Sequence, residues 1–303
     1  QDTSLSTAEG FRRTPLAELC AAKQQTENRF PCCFIPKAAV LEPGEKLCIF
    51  SLYGQAEDKG RVKALAMRAG GGEWFKEKRR QAAQLVDDLC APVSCRTADP
   101  VFDAYCRHTY LDNALRGGAP AFFGDGGKSV PFYLYSRKHG DPEREYNAFS
   151  LGGEYYAQGN GNFRDMNQNR RCDVLFAPRL GTENIHTFFD LIQTDGYNPL
   201  VLTASTYTLP DEALPDVLDR IPEEHRAGAE GLLTRPFTPG ELAMAAEDWG
   251  MEEGDALALT AAALCAADHE PNADFQEGYW CDHWTYNLDL IESYLSVYPE
   301  REE

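Results

Sequence analysis

The spacing of hydrophobic and polar positions changes once along the chain. Between Phe30 and Gln55 the apolar runs CCFIPKAAVL and KLCIFSLYGQ flank Glu42-Pro43-Gly44-Glu45. Proline followed by glycine suits a tight turn, so a β-hairpin is expected there, with a short helix ahead of it from Pro15 to Lys23. After Gly70-Gly71-Gly72 the period becomes helical. Ala82, Leu85, Val86 and Leu89 recur at i, i+3, i+4, i+7, which predicts a helix from about Trp74 to Cys90. Asp99-Pro100 opens another, in which Phe102, Tyr105, Cys106 and Thr109 keep that spacing until Gly117-Gly118 ends it.

Beyond Gly118 most regular segments read as helices. Ile185, Phe188, Phe189 and Ile192 form one stripe. Thr238-Pro239-Gly240-Glu241 is a capping box ahead of Leu242, Ala245, Ala246 and Trp249. Leu257, Ala261 and Leu264 mark a third helix, and Leu288, Ile291 and Leu295 the last. Successive helices with long irregular connections predict a mainly α fold, a helical array or a barrel of helices, rather than a parallel α/β one.

Charge narrows the partners. The 303 residues carry 29 basic and 48 acidic side chains, a net −19, and the excess lies in one place: residues 201–303 hold 23 acidic and 4 basic groups. Such a surface repels phosphate backbones and anionic lipid heads, so nucleic acid is not an expected partner. No apolar stretch reaches the roughly 20 residues that span a bilayer and no signal peptide opens the chain, so no membrane is expected and a cytoplasmic protein is. Ten cysteines without CxxC spacing predict reduced, mostly buried thiols, with Cys32-Cys33 unlinked. The six histidines show no metal-ligand spacing, and there is no GxSxG or P-loop, so neither metal nor cofactor is expected.

Two segments crowd polar and aromatic residues where neither a core stripe nor a solvated face would put them. The first, Tyr155 to Asp173, reads YYAQGNGNFRDMNQNRRCD. Its amides and guanidinium groups offer the paired donors and acceptors that a sugar needs, and its glycines let the backbone approach a ligand. A polar loop bonded to itself would have the same composition. The second, Asp274 to Asp289, reads DFQEGYWCDHWTYNLD and holds two of the four tryptophans, Trp280 and Trp284, on either side of Asp282. Indoles pack on pyranose faces, and a carboxyl they shield keeps its proton near neutral pH, which is what a general acid requires. The other explanation is two core tryptophans and Asp282 as a helix N-cap.

These strings, from YSRKHGDPEREYNAFSLGGEYYAQGNGNFRDMNQNRRCDVLF through FFDLIQTDGYNPL, with EGYWCDHWTYNLDLIESYL, resemble the 1,2-β-oligoglucan phosphorylases of glycoside hydrolase family 94, relatives of cellobiose phosphorylase. The resemblance covers about residues 130–300. It implies part of an (α/α)6 barrel preceded by the end of a β-sandwich region and a helical linker. The boundaries would be 1–72 for the sandwich end, 73–118 for the linker and 119–303 for the N-terminal part of the barrel. It further implies inverting phosphorolysis of β-1,2-linked gluco-oligosaccharides to α-glucose 1-phosphate, with inorganic phosphate as co-substrate. Asp282 matches the general acid, with His283 where cellobiose-type relatives carry Trp. Arg164, Asp165, Asn167, Gln168, Asn169 and Arg170, with Tyr279, Trp280 and Trp284, would bind the sugar. Family members are longer, so the chain is expected to be an internal fragment, inactive alone, with its phosphate-binding residues further on; homo-oligomerisation is left open. A hydrolase or transglycosylase on the same glucan would need a second carboxylate such as Glu277 or Glu270, and a non-catalytic carbohydrate-binding module would need none.

Overall fold

The computed structural model describes residues 8–23, 27, 37–54, 56, 58–124, 128–134, 152–275 and 281–302, and divides into two units, Gln1–Tyr53 and Gly54–Glu303. In the first unit, α1 (Ala8–Arg13) and α2 (Leu16–Ala21) stand on either side of Pro15, the second within the stretch expected to be helical. The turn at Pro43-Gly44 forms as well. Gly44 takes φ 85°, open to a residue without a Cβ, and the Glu45 N–H donates to Glu42 O at 3.0 Å. The hairpin is corrected where it is described: residues 37–54 contain no strand, and Val40, Ile49 and Tyr53 are exposed, while 30–36 of its first arm lie outside the described residues. Apolar residues that cover no core gain too little from pairing.

The second unit is mainly helical with small antiparallel sheets. It opens with α3 (Lys59–Arg68), capped by the Asp58 carboxylate, which accepts from the Arg61 N–H at 3.0 Å. The helix expected from Trp74 is α4 (Gly72–Leu89). The one opened by Asp99-Pro100 is α5 (Pro100–Gly117), whose Asp99 carboxylate accepts from the Val101 N–H at 2.9 Å and which stops at Gly118, φ 95°. The stripe of α5 is not its buried face. Phe102, Tyr105 and Thr109 are exposed, and close packing comes only at the end, where Gly117 lies so near the next helix that a Cβ would stand 2.7 Å from that of Asn169.

After α5 a hairpin of β1 (Ala119–Phe123) and β2 (Val130–Leu134) forms, in register from Ala119 opposite Leu134 to Phe123 opposite Val130. Then come β3 (Gly161–Asn162), α6 (Phe163–Arg170), α7 (Asp173–Phe176), α8 (Glu183–Phe189) and β4 (Val201–Thr208). The chain continues through α9 (Leu214–Leu218), α10 (Arg226–Leu233), α11 (Pro239–Asp248), α12 (Glu253–Ala266), β5 (Asp268–Asp274) and α13 (His283–Val297). The order in the second sheet is β3-β4-β5, antiparallel throughout, with Val201 opposite Asp274 and Thr208 opposite Asp268. These strands were not expected within the mainly α fold: β4 carries the β-branched Val201, Thr203, Thr206 and Thr208, and β5 is held by its ladder to β4.

One core gathers Tyr207 of β4, Phe237 from the α10–α11 connection, Leu242 and Ala246 of α11, and Leu259, Ala263 and Leu264 of α12, closed by Phe123 and Phe132. A smaller one joins Phe163, Met166, Phe188, Leu202 and Leu290. On α12 the buried face is Leu259, Thr260, Ala263 and Leu264 while Leu257 is exposed, and on α13 it is His283, Asn287 and Leu290 while Leu288 is exposed. Both depart from the expected stripes. Thiols depart too: among the described cysteines, all free, only Cys90 is buried; Cys32-Cys33 lies outside the described residues. No helix among the described residues is long and apolar enough to cross a membrane.

The capping box at α11 is complete. Thr238 Oγ1 accepts from the Glu241 N–H and Glu241 Oε2 accepts from the Thr238 N–H, both at 3.1 Å, while the hydroxyl donates to Glu154 Oε2 at 2.8 Å. Thr238→Ala is expected to cost about 1–2 kcal/mol in denaturant unfolding, with Thr238→Ser restoring most of it. Equal midpoints for Ala and Thr would show the box to be idle.

Candidate functional site

The two polar segments meet where α6 packs on α13. Phe163 starts α6 by donating its N–H to Leu200 O at 3.0 Å, and its ring is enclosed between Phe188 (5.1 Å, 88°) and His283 (5.0 Å, 31°). That anchoring places the next two residues, Arg164 and Asp165, at the start of α13. Asp282 occupies the N-cap position of α13, yet its side chain makes no capping bond. Its carboxylate is turned instead toward α6.

Asp165 is 2% exposed, and both of its oxygens are engaged: Oδ2 accepts from Asn162 Nδ2 at 3.0 Å and Oδ1 from Arg164 Nε at 3.1 Å. The same guanidinium reaches Asp282, with Nη1 3.9 Å from Oδ2. The side chains of Arg164 and Asp282 are 39% and 44% exposed, so this pair faces solvent while its support is buried. Burial alone would lower the Arg164 guanidinium, but the carboxylates of Asp165 and Asp282 outweigh it and hold it above its ordinary value. The His283 ring, 1% exposed, is pushed down to about 4 by burial, against the pull of Asp282 and Asp165, and is therefore neutral near pH 7.

Several residues expected to touch sugar also bond within the scaffold. Asn167 is fully buried and donates from Nδ2 to Asn287 Oδ1 at 2.6 Å. Arg170 is buried, with Nε donating to Gly117 O at 2.5 Å and the guanidinium 3.8 Å above the Tyr133 ring. Asn169 donates back to Asp165 O at 2.6 Å, and Gln158 bridges two strands, giving a hydrogen bond to Tyr133 O and taking one from the Ser205 N–H. Asp165 has both oxygens hydrogen-bonded, so all four residues, Asp165, Asn167, Asn169 and Arg170, already hold hydrogen bonds inside the fold.

What remains open to solvent is Arg164, Gln168, Asp282 and Trp284. Trp284 is 43% exposed, so it is not a core residue. The Asp282 side chain is 44% exposed, and of its two expected indole neighbours Trp280 lies outside the described residues. Tyr279, Trp280 and Glu277 lie outside the described residues. Glu270 sits on β5, where Thr208 Oγ1 donates to it at 3.4 Å. Among the described residues no group of three His, Cys, Asp or Glu side chains is placed to hold a metal ion.

A second polar cluster escaped the sequence reading. Asn184 Nδ2 donates to the Tyr133 hydroxyl at 2.7 Å, and that hydroxyl donates to Asp173 Oδ2 at 3.0 Å. Nothing in the spacing of Tyr133, Asp173 and Asn184 points to this, because they come from three different elements. Burial pushes the Asp173 carboxyl up to about 7 despite the Tyr133 bond and the Arg170 charge. The chain matches no family model, no curated protein and no solved structure.

Asp173 makes stability depend on pH. With an ordinary value of 3.8 and about 7 in the fold, it binds its proton more tightly folded than unfolded. Its contribution is whole below 3.8, declines as pH rises and is gone above about 7. Wild type should therefore lose stability relative to Asp173→Asn between pH 5 and pH 8, measured by urea unfolding at each pH. A constant difference between the two proteins would refute the raised carboxyl.

Proposed function

We propose that the chain is part of an inverting glycoside phosphorylase that cleaves β-1,2-linked gluco-oligosaccharides with inorganic phosphate to give α-glucose 1-phosphate. The observation that carries this reading is the meeting of Arg164 and Asp282 at 3.9 Å, since the two strings that bear the resemblance, far apart in sequence, contribute to one solvent-facing pair. In this reaction a carboxylic acid protonates the glycosidic oxygen while phosphate attacks the anomeric carbon from the opposite face. Phosphate replaces the base and water of an inverting hydrolase, so one carboxyl suffices. Asp282, uncapped and open to solvent, takes that role. Arg164 binds sugar hydroxyls beside it, and the exposed Trp284 offers a flat apolar face for a sugar ring. The neighbouring helices α9–α10 and α11–α12 belong to an (α/α)6 barrel, and α4 and α5 to the linker before it. The protein acts in the cytoplasm.

The test is phosphorolysis of a β-1,2-gluco-oligosaccharide by the longest polypeptide that contains this chain. Asp282→Asn should keep the fold and lose roughly 10²–10⁴-fold in rate. Arg164→Ala should lower kcat/KM by about tenfold or more, at least ~1.4 kcal/mol of transition-state binding. Glucose release that does not depend on phosphate would point to a hydrolase, and sugar binding without turnover to a binding module. Undiminished phosphorolysis by Asp282→Asn would remove Asp282 from the mechanism.

A further inference from the structure

The connection between α4 and α5 is tied to the face of α5 that carries Asp103 and Cys106. These two residues stand three positions apart on one helix, so their side chains lie one above the other. Cys95, in the connection, meets both: its Sγ donates to Asp103 Oδ1 at 3.5 Å, and the Cys106 thiol is its other hydrogen-bonding neighbour. Thr97 fixes the approach, since its hydroxyl donates to Asp103 Oδ1 at 2.8 Å and its N–H to Oδ2 at 3.1 Å. Cys90, just after α4, is directed elsewhere, buried and with Sγ 3.9 Å from Arg107 O. Cys95 is exposed and Cys106 half-buried, so a small reagent in solution reaches the pair.

We propose that Cys95 and Cys106 form a dithiol that a small disulfide such as oxidised glutathione converts to an internal, reversible disulfide. One sulfur gives its proton to solvent and attacks the oxidant's S–S bond, releasing a first glutathione; the other then attacks the mixed disulfide and releases the second. Two S–H bonds are lost and one S–S bond forms, and the two electrons and two protons end on two molecules of reduced glutathione. The balance is the same whichever sulfur begins. The bridge spans the start of α5, where Thr97 and Asp99 already hold the chain, so little new order has to be created. The titratable groups that act on Cys95 are Asp103 and Cys106, both from α5. Loss of water around the thiol, its bond to Asp103 and the nearness of Cys106 push Cys95 up to about 11, so near pH 7 it keeps its proton and the reduced pair persists until an oxidant engages it. In a reducing compartment such a bridge is transient and marks oxidation rather than building the fold. The proposal depends neither on Asp282 nor on phosphorolysis.

The test takes the reduced full chain, incubates it with oxidised glutathione, blocks remaining thiols with N-ethylmaleimide and digests it with trypsin without reduction, for tandem mass spectrometry. Cleavage after Arg80, Arg96 and Arg107 leaves Cys95 and Cys106 on separate peptides, 81–96 and 97–107, which a bridge joins with the loss of two hydrogens. Fragmentation then tells Cys95 from Cys90, which shares the first peptide. Wild type should carry the Cys95–Cys106 link in most molecules, and dithiothreitol should remove it. Cys95→Ser and Cys106→Ser should each lose the link and leave glutathione on the thiol that remains. A link from Cys90 to Cys106, glutathione on both Cys95 and Cys106 of one wild-type chain, or no oxidation of either residue overturns the proposal. Phenylarsine oxide gives a reading that needs neither variant nor oxidant. It bridges two adjacent thiols, so it should shield Cys95 and Cys106 together from alkylation, and shielding of one alone or of neither overturns the proposal.

Discussion

The pair of asparagines at the α6–α13 contact fixes the geometry on which the candidate site depends. Asn167 and Asn287 are both fully buried, and a single bond of 2.6 Å joins them. An amide pair forms only when two helices face each other at one rotation and one axial offset, whereas leucines in the same places would tolerate sliding. Asn167 Oδ1 and Asn287 Nδ2 have no hydrogen-bond partner among the described residues, and exchanging nitrogen for oxygen in both amides only reverses the roles. A buried polar atom left unmatched costs about 1–3 kcal/mol, so the register is obtained against a real penalty. The Phe163, Phe188 and Leu290 side chains of the small core supply the opposing apolar burial.

The far end of α6 is fixed differently. Arg170 lies over Tyr133 and bonds Gly117 O, so one side chain ties α6 to the end of α5 and to β2. Tyr133 in turn passes a hydrogen bond from Asn184 on α8 to Asp173 on α7, donor to acceptor in one sense along the chain of groups. Gly117 permits the approach because a Cβ there would strike Asn169. With both ends of a short helix held, Arg164 in its first turn has little freedom to move its backbone.

Local signals in the sequence survived into the structure wherever one side chain and its nearest backbone decide the outcome. Asp99 and Thr238 cap their helices, Gly118 ends α5 and Pro43-Gly44 turns the chain, because each of those depends on residues within a few positions. Which face of a helix is buried depends on what packs against it, and there the apolar stripes misled. On α13 the buried line runs through His283 and Asn287, polar residues chosen by the partners waiting in α6, while Leu288 faces out. Strand β5, with the sequence DHEPNAD, has no alternation to detect and exists because β4 offers it a ladder. The hairpin failed for the converse reason, since apolar runs without a core to cover carry β-propensity but no burial.

The polar run from Tyr155 to Asp173 shows why composition alone could not separate binding from folding. Amides and guanidinium groups suit a sugar for the same reason that they suit a buried seam: each offers donors and acceptors in fixed directions. What separates the two uses is whether those directions are already filled. Gln158, Asn167, Asn169 and Arg170 spend their bonds on strands and helices of this chain, and Asp165 spends both oxygens on its neighbours. Asp282 is the reverse case: a carboxylate at a helix N-terminus would ordinarily accept backbone N–H bonds there, and this one does not. The electrostatic preference of the helix end for negative charge and the Arg164 guanidinium both act on a carboxylate that makes no capping bond. Among the described residues, Asp282 is thus a carboxylate of the α6–α13 seam that the fold places without a capping bond and leaves partly open to solvent.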